Sequence, residues 1–310
     1  MSPIIVVDGL TKRYRKADAN AVDGVSFGVA PGEFFALLGP NGAGKTTTIS
    51  ILTTMLSPTS GVVRVAGHDV GADASAVRQQ IGIIFQQPSL DVNLTAEENV
   101  RFHAVLYGLF PMRPSYHLMP AAYRTRVGDL ADVVGIAGDM FKPVKTFSGG
   151  MKRKLEIVRS LIHQPRVLFL DEPTTGLDPA SRRSVWQYLR GVREATGTTV
   201  FLTTHYLEEA EDADTVCVIN HGRIVSFGTP TRVKADLVED YVVLDADDRG
   251  ALCGELGRLA MPCRGDGPFK VTLAPGDVHR LLKAIDTPLT TVKTHTPSLE
   301  EAYLEILERS

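Results

Sequence analysis

Long apolar runs are missing from this chain of 310 residues. No stretch approaches the roughly 18 uninterrupted apolar residues of a membrane-spanning helix. The opening Met1-Ser2-Pro3-Ile4 has neither the basic flank nor the apolar core of a secretion signal. A soluble chain is expected, and any membrane role must pass through a partner. Cysteine is scarce as well. Cys217, Cys253 and Cys263 are odd in number and lack the spacing of a metal site. Cys217, in an apolar run, reads as a small buried side chain, and a reducing compartment fits. Neither sign of charge dominates: a net charge of −3 and a pI near 6.3 argue against the basic surface of a general nucleic-acid binder. Internal repeats and low-complexity tracts are absent. What the chain does hold is 44% hydrophobic residues, enough for a substantial core in one large domain or two smaller ones.

Strand-like runs occur at Ile4–Asp8, Val25–Val29, Phe34–Leu38, Val62–Val65, Gly82–Phe85, Val167–Leu170, Thr199–Thr203 and Thr215–Asn220. Helical patterns lie among them, notably Met151–His163 and Ser181–Glu194. Such alternation predicts an α/β fold around a buried, largely parallel sheet. The close spacing of the early strands predicts an additional antiparallel sheet near the N-terminus. From about 90 to 163 the pattern is mainly helical, a subdomain inserted into the sheet domain. The segment Phe110–Arg126, rich in Pro, Tyr and Arg, reads first as a surface loop and second as a partner contact. After Gly228-Thr229-Pro230 the character changes, and a small α+β domain is expected over 236–310, following a first domain over 1–235. Its strands are placed at Val242–Leu244, Lys270–Leu273 and Leu289–Lys293, its helices at Gly276–Ile285 and Ser298–Leu307. Ser298 and Glu301 form a capping-box pattern after Pro297.

The most informative segment is Gly39-Pro40-Asn41-Gly42-Ala43-Gly44-Lys45-Thr46-Thr47, set between the apolar run Phe34–Leu38 and a helix predicted over Thr46–Met55. Strand, glycine-rich loop and helix is the context of a polyphosphate cradle. The glycines let successive backbone N–H groups turn inward toward anionic oxygens, and the helix N-terminus adds to that field. Lys45 supplies a mobile charge for the β- and γ-phosphates, and the Thr46 hydroxyl can join the coordination of Mg²⁺. A second motif, Val167-Leu168-Phe169-Leu170-Asp171-Glu172, ends a buried strand in two carboxylates. Open α/β sheets bind ligands at the carboxyl ends of their strands. Asp171 suits Mg²⁺, which takes few carboxylates and keeps its waters, and Glu172 is placed to polarise an attacking water.

Shortly before Asp171 lies Phe147-Ser148-Gly149-Gly150-Met151, similar to the signature motif of ATP-binding-cassette (ABC) ATPases. The other motifs follow in that family's order. Tyr14 resembles the aromatic that stacks on adenine, Gln86 the Q-loop glutamine, Gly176-Leu177-Asp178 the D-loop and His205 the switch histidine. The resemblance covers roughly residues 4 to 230 and implies a P-loop ABC ATPase fold using ATP and Mg²⁺. It makes Glu172, His205 and Gln86 catalytic, and Thr46, Gln86 and Asp171 metal-facing. Tyr14, Gly39 to Thr47, Ser148, Gly149, Gly150 and Asp178 would contact nucleotide. It further implies a head-to-tail homodimer in which Ser148 and Gly150 of one copy contact the γ-phosphate held by Lys45 of the other. Phe147 stands where Leu is usual and Met151 where Gln is common, but the Ser-Gly-Gly core is intact. Lys152, Arg153 and Lys154 crowd the first turn of the following helix, where the dipole disfavours cations; they read as added positive potential or an exposed charged face.

With one cassette and no spanning segment, the resemblance points to an ATPase subunit serving a separate multi-span permease at the cytoplasmic face of the plasma membrane. The tail Thr296-Pro297-Ser298-Leu299-Glu300-Glu301-Ala302-Tyr303, with Met151, is similar to that of daunorubicin-resistance and nodulation-factor export ATPases. Drug, lipid or glycolipid export is the implied function, with Leu90, Phe102 and Tyr107 candidates for a groove that receives the permease. The competing reading is a soluble ABC ATPase acting on ribosomes or nucleic acid. The acidic pI weighs against it, so no nucleic-acid partner is expected. A nucleotide-binding regulator without hydrolysis is a third reading, opposed by the intact Glu172.

Overall fold

The computed structural model describes residues 2–15, 17–86, 89–237, 241–259, 261, 266–272 and 278–295. It divides into two compact units, Met1–Val225 and Ser226–Ser310.

In the first unit the chain runs through β1 (Ile5–Lys12), β2 (Val22–Val29), β3 (Phe34–Leu38), α1 (Lys45–Leu52), β4 (Ser60–Val65), β5 (His68–Asp69), α2 (Ala74–Gln80) and β6 (Ile81–Ile84). It continues through α3 (Ala96–Leu106), α4 (Ala121–Val133), α5 (Gly149–Leu161), β7 (Val167–Asp171), α6 (Pro179–Thr196), β8 (Thr199–Thr204), α7 (Leu207–Glu211) and β9 (Thr215–Asn220); β10 (Arg223–Gly228) follows and runs across the division after Val225. Two sheets result, a four-stranded β2-β1-β4-β5 and a six-stranded β10-β9-β3-β8-β7-β6. Every pairing of β1 and β4 is antiparallel, whereas β3 runs parallel to both β8 and β9, and β7 to both β6 and β8. The cause lies in the side chains. All residues of β3, β7 and β8 are buried, as strands covered on both faces require. Phe27 of β2 stacks on Phe35 of β3 at 5.1 Å, and Phe35 on Phe201 of β8 at 5.1 Å, so one row of rings joins the two sheets.

Between β6 and β7 the described chain is helical, as expected from its pattern. Thr95 and Glu98 close a capping box at the start of α3. The segment expected as a plain loop, Phe110–Arg126, is tied down instead. Tyr116–Leu118 forms a 3₁₀ turn, and Arg101 donates to the Arg113 carbonyl at 2.8 Å. The fully buried Tyr123 packs edge-on against Phe110 and donates to Glu97 Oε1 at 3.0 Å. Burial pushes the Glu97 carboxyl up, with Tyr123 and Arg101 opposing it.

The second unit contains α8 (Pro230–Leu237), β11 (Tyr241–Ala246), α9 (Arg249–Arg258), β12 (Phe269–Thr272), α10 (Val278–Lys283) and β13 (Leu289–His295). Its sheet has the order β12-β11-β13, with antiparallel pairing on both sides of β11. Val242, Leu244, Leu252, Leu256, Phe269 and Val271 form its own core. The units part before the Asp236 expected from composition, because Pro230–Leu237 forms a helix on the far side of the division. α9 was not visible in the sequence pattern. The Ser298–Leu307 helix and its capping box lie outside the described residues.

Candidate active site

The loop between β3 and α1 closes around a cavity of about 140 Å³ lined by Ala21, Pro40, Asn41, Gly42, Gly44, Lys45, Thr46, Thr47 and Glu172. Two glycines are dictated by space. A Cβ on Gly39 would stand 2.3 Å from the Ile219 carbonyl oxygen. One on Gly44, whose φ is 109°, would stand 2.5 Å from that of Ala21. Lys45 is buried, and its ammonium donates to the carbonyls of Gly39 at 2.7 Å and Pro40 at 3.1 Å. Burial lowers its pKa, while Glu172 and Asp171 pull the other way. Tyr14, half-exposed, is linked to the same loop by a 3.2 Å contact between its hydroxyl and that of Thr47.

At the carboxyl ends of β7 and β8 several polar side chains converge on Glu172. Its Oε1 lies 3.7 Å from Lys45 Nζ. Its Oε2 accepts from Gln86 Nε2 at 3.2 Å and Thr175 Oγ1 at 3.4 Å, and stands 3.3 Å from His205 Nδ1. Nδ1 is buried and makes no hydrogen bond, so this approach is a contact without hydrogen-bond alignment. The backbone of Glu172 has φ 46°, a left-handed conformation that costs a non-glycine residue about 1–3 kcal/mol. Its N–H is fixed on the Thr203 carbonyl at 3.0 Å. Asp171 is buried beside it and accepts from the Thr203 hydroxyl at 2.5 Å. Burial is the main cause that raises its pKa. Among the described residues no three His, Cys, Asp or Glu side chains cluster as a metal site. A lone buried carboxylate beside a hydroxyl-bearing phosphate loop fits an ion that takes most ligands from phosphate and water.

Glu209 escaped the sequence reading. It is 2% exposed and accepts from Thr204 Oγ1 at 2.6 Å, from Trp186 Nε1 at 3.3 Å and from Thr174 Oγ1. Ala21 also escaped it, although its carbonyl backs the phosphate loop. No local signal marks either, since each acts through a partner distant in sequence.

Ser148 caps α5 by accepting from the Met151 N–H at 3.2 Å. Ser148, Gly149 and Gly150 do not line the phosphate-loop cavity of their own chain. Asp178 caps α6, accepting from the N–H groups of Ala180 and Ser181 at 3.0 Å. The Ser181 hydroxyl and these N–H groups hold its carboxyl below the usual range. A Cβ on Gly150 would meet Ser181 Oγ at 2.9 Å, so the two caps are close neighbours.

The charged start of α5 is not an exposed face. Arg153 is buried and donates to the carbonyls of Phe85 at 2.6 Å and Gln86 at 2.9 Å, and to Glu156 at 2.8 Å. Glu156 in turn accepts from the Ser89 N–H at 2.9 Å, and Arg159 donates to the Ser89 carbonyl at 2.7 Å. One turn after the signature, α5 therefore grips the segment that carries Gln86. Lys154 reaches the Tyr188 hydroxyl at 3.1 Å. Beside the grip lies a cavity of about 220 Å³ lined in part by Phe85, Ser89, His103, Tyr107 and His163. Tyr107 lines this cavity, whereas Leu90 and Phe102 do not.

Comparison with known proteins gives the chain's relatives. The family model described as ABC transporter matches residues 22–175. The daunorubicin resistance ATP-binding protein DrrA3 of Streptomyces coeruleorubidus is 38% identical over 97% of this chain and 95% of its own length. The Nod factor export ATP-binding protein I of Ralstonia nicotianae is 40% identical, covering 86% of this chain and 80% of its own. Among solved structures, cbiO1 of Clostridium perfringens, part of an ABC transporter complex, superposes with a TM-score of 0.67. It is 29% identical, over 76% of this chain and 92% of its own. A dimeric ATP-binding cassette in a post-hydrolysis state with ADP and Pi gives 0.64 at 25% identity, over 73% and 98%.

Proposed function

The chain belongs to the ABC transporter family as an ATP-hydrolysing, ATP-binding subunit, and from that premise we propose that two copies power a separate export permease. Its similarity to the daunorubicin-resistance and Nod factor export subunits supports export of a drug-, lipid- or glycolipid-like molecule. No helix among the described residues is long and apolar enough to cross a membrane, so the path for cargo is assigned to the partner. The site of action is then the cytoplasmic face of the plasma membrane. The cavity beside Ser89, His103 and Tyr107 is the proposed seat of the permease, because it adjoins the segment carrying Gln86.

One observation carries the chemical reading: the Glu172 carboxylate is the meeting point of Lys45, Gln86, Thr175 and His205 at the mouth of the phosphate loop. In this reading ATP lies along Gly39 to Thr47, with adenine against Tyr14. Its phosphates draw Lys45 off the carbonyls of Gly39 and Pro40 and relieve the cost of burying that ammonium. Thr46, Asp171 and Gln86 would hold Mg²⁺, which supplies charge neutralisation for the phosphates when bound. Glu172 orients the attacking water and takes its proton, its carboxylate held by Gln86 and Thr175, and His205 beside it faces the γ-phosphate. Ser148, Gly149 and Gly150 of the second copy, with Asp178, close the other side.

Glu172→Gln keeps the shape of the acid and removes its basicity. ATP affinity should stay within a few-fold, turnover should fall by ~10²–10⁴, and ATP should hold the variant as a dimer on size-exclusion chromatography. Wild-type turnover in that variant would remove Glu172 from this role.

A further inference from the structure

At the amino ends of β7 and β8, the opposite end of the sheet from the phosphate loop, lies a cavity of about 960 Å³ between α4, the end of α5 and the end of α6. α5 packs against both α4 and α6, which leaves the gap between them open. Leu130, Val133 and Val192 are among its apolar walls. Arg126 also lines it, donating to the Leu161 carbonyl at 3.3 Å. With its amide oxygen turned toward Arg126, Gln164 accepts from both guanidinium nitrogens at 3.2 Å. Both partners are neutral, and burial lowers the Arg126 pKa with no carboxylate opposing it. Two more charges, Asp129 and Arg166, line the cavity and offset each other in sign. The lining therefore carries one positive charge in excess, and Arg126 is held by neutral acceptors alone.

We propose that this cavity is a second ligand site, for a small amphipathic organic anion such as an aromatic or short acyl carboxylate or sulfonate. The volume lies at the upper end of the range that encloses drug-sized molecules, and the mixture of apolar wall and one fixed polar group is the usual composition of such sites. An anionic head on Arg126 gains a charge-assisted hydrogen bond that the neutral acceptors do not give. The apolar body replaces water against α4 and α6. Since α4 belongs to the helical insertion and α6 to the sheet domain, an occupant ties the two together. The inference rests on the cavity alone and does not depend on the transport reading.

The test uses the full chain and the fluorescent anion 8-anilinonaphthalene-1-sulfonate. Gly191 on α6 lines the cavity, and a Cβ built on it meets nothing within 4 Å. Gly191→Leu therefore enters open space at its Cβ, projects a larger side chain into the cavity and improves helix propensity. Arg126→Gln removes the charge but keeps a donor for the Leu161 carbonyl. The wild type should bind the dye saturably. Arg126→Gln should weaken binding about tenfold, and Gly191→Leu should weaken it at least as much, both melting at or near the wild-type temperature. 2-Naphthoate should displace the dye at least ten times more effectively than 2-naphthylmethylammonium. Absence of saturable binding, or binding unchanged by both substitutions, would overturn the site. Equal displacement by the two competitors, or an effect of Gly191→Leu alone, would overturn its preference for anions.

Discussion

Glu209 is buried, and its hydrogen bonds go to Thr174, Trp186 and Thr204, none of them a residue expected to meet nucleotide. Thr174 follows Glu172 on the loop after β7, and Thr204 directly precedes His205 at the end of β8. A single carboxylate accepting from both, and from Trp186 of α6, sets the spacing between the acid and the histidine. Glu209→Gln keeps the volume but turns one acceptor into a donor among groups that are themselves donating. The expected result is a stability loss of ~1–3 kcal/mol for the unmatched polar group. Turnover should drop roughly tenfold, as a small misplacement of the catalytic pair can cost that much or more, with ATP affinity little changed. A variant that melts earlier yet turns over normally would make Glu209 a purely structural residue. Glu209 was illegible because it sits in the acidic run Leu207–Asp212, where a carboxylate reads as solvated until the fold supplies its donors. Cys217 was legible for the converse reason: an apolar neighbourhood in sequence is enough to bury it, and burial pushes its thiol up to about 12.

α5 shows how an element can carry more than its motif. Its first two turns hold three consecutive cations, Lys152 to Lys154, near the end where the helix dipole opposes them. The structure resolves the conflict by turning Arg153 inward onto Glu156 and the Phe85 and Gln86 carbonyls. A periodicity argument cannot see this, because the accepting carbonyls come from the loop after β6. The same joint brings α3 against α5, where three rings cluster: His103 and His163 each lie 4.4 Å from Tyr107 and 5.9 Å from each other. Burial, then the positive charge of Arg159, then His163, push His103 down to about 3. The sign follows from proton counting. Below its ordinary pKa of ~6.5 the unfolded chain takes up a proton on this imidazole that the native chain refuses until about pH 3. Its contribution is therefore full above that ordinary value and is lost as pH falls. Between pH 7.5 and 5.5 it removes ~1.4 kcal/mol of stability. His163, also lowered chiefly by burial, adds to the trend, whereas Glu97 and Glu156, raised by burial, oppose it. The measurement is thus a difference: urea melts of wild type and His103→Leu at the two pH values. The substitution should shrink the pH-dependent loss by ~1 kcal/mol. Equal losses in both proteins would place His103 in contact with water.

At the scale of the whole molecule, the parallel sheet and the phosphate loop were readable because each is contiguous: a fully buried strand needs an unbroken apolar run, and a phosphate cradle needs its glycines in order. The helical insertion was readable as a class but not in its ties, which join Arg101 to Arg113 and Tyr123 to Glu97 across sequence gaps. α9 was missed because Gly250, Gly254 and Gly257 dilute its helical pattern. In the proposed reading two copies share the active site. The Ser148 helix end is capped, and it lies outside the lining of the cavity that holds Lys45. If two copies meet head to tail, Lys45→Ala disables the loop of one copy and Ser148→Arg the signature of the other, and the defects are complementary. A mixed dimer then keeps one site, built from the intact loop of the Ser148→Arg chain and the intact signature of the Lys45→Ala chain. With random pairing in a two-fold dimer, half the dimers are mixed and half their sites work. An equimolar mixture should therefore recover roughly a quarter of wild-type ATPase activity if the sites act independently, while each variant alone shows little. A mixture no more active than its components would mean that each chain hydrolyses ATP with its own residues, and the phosphate-loop cavity would have to close on Ser148 within one copy.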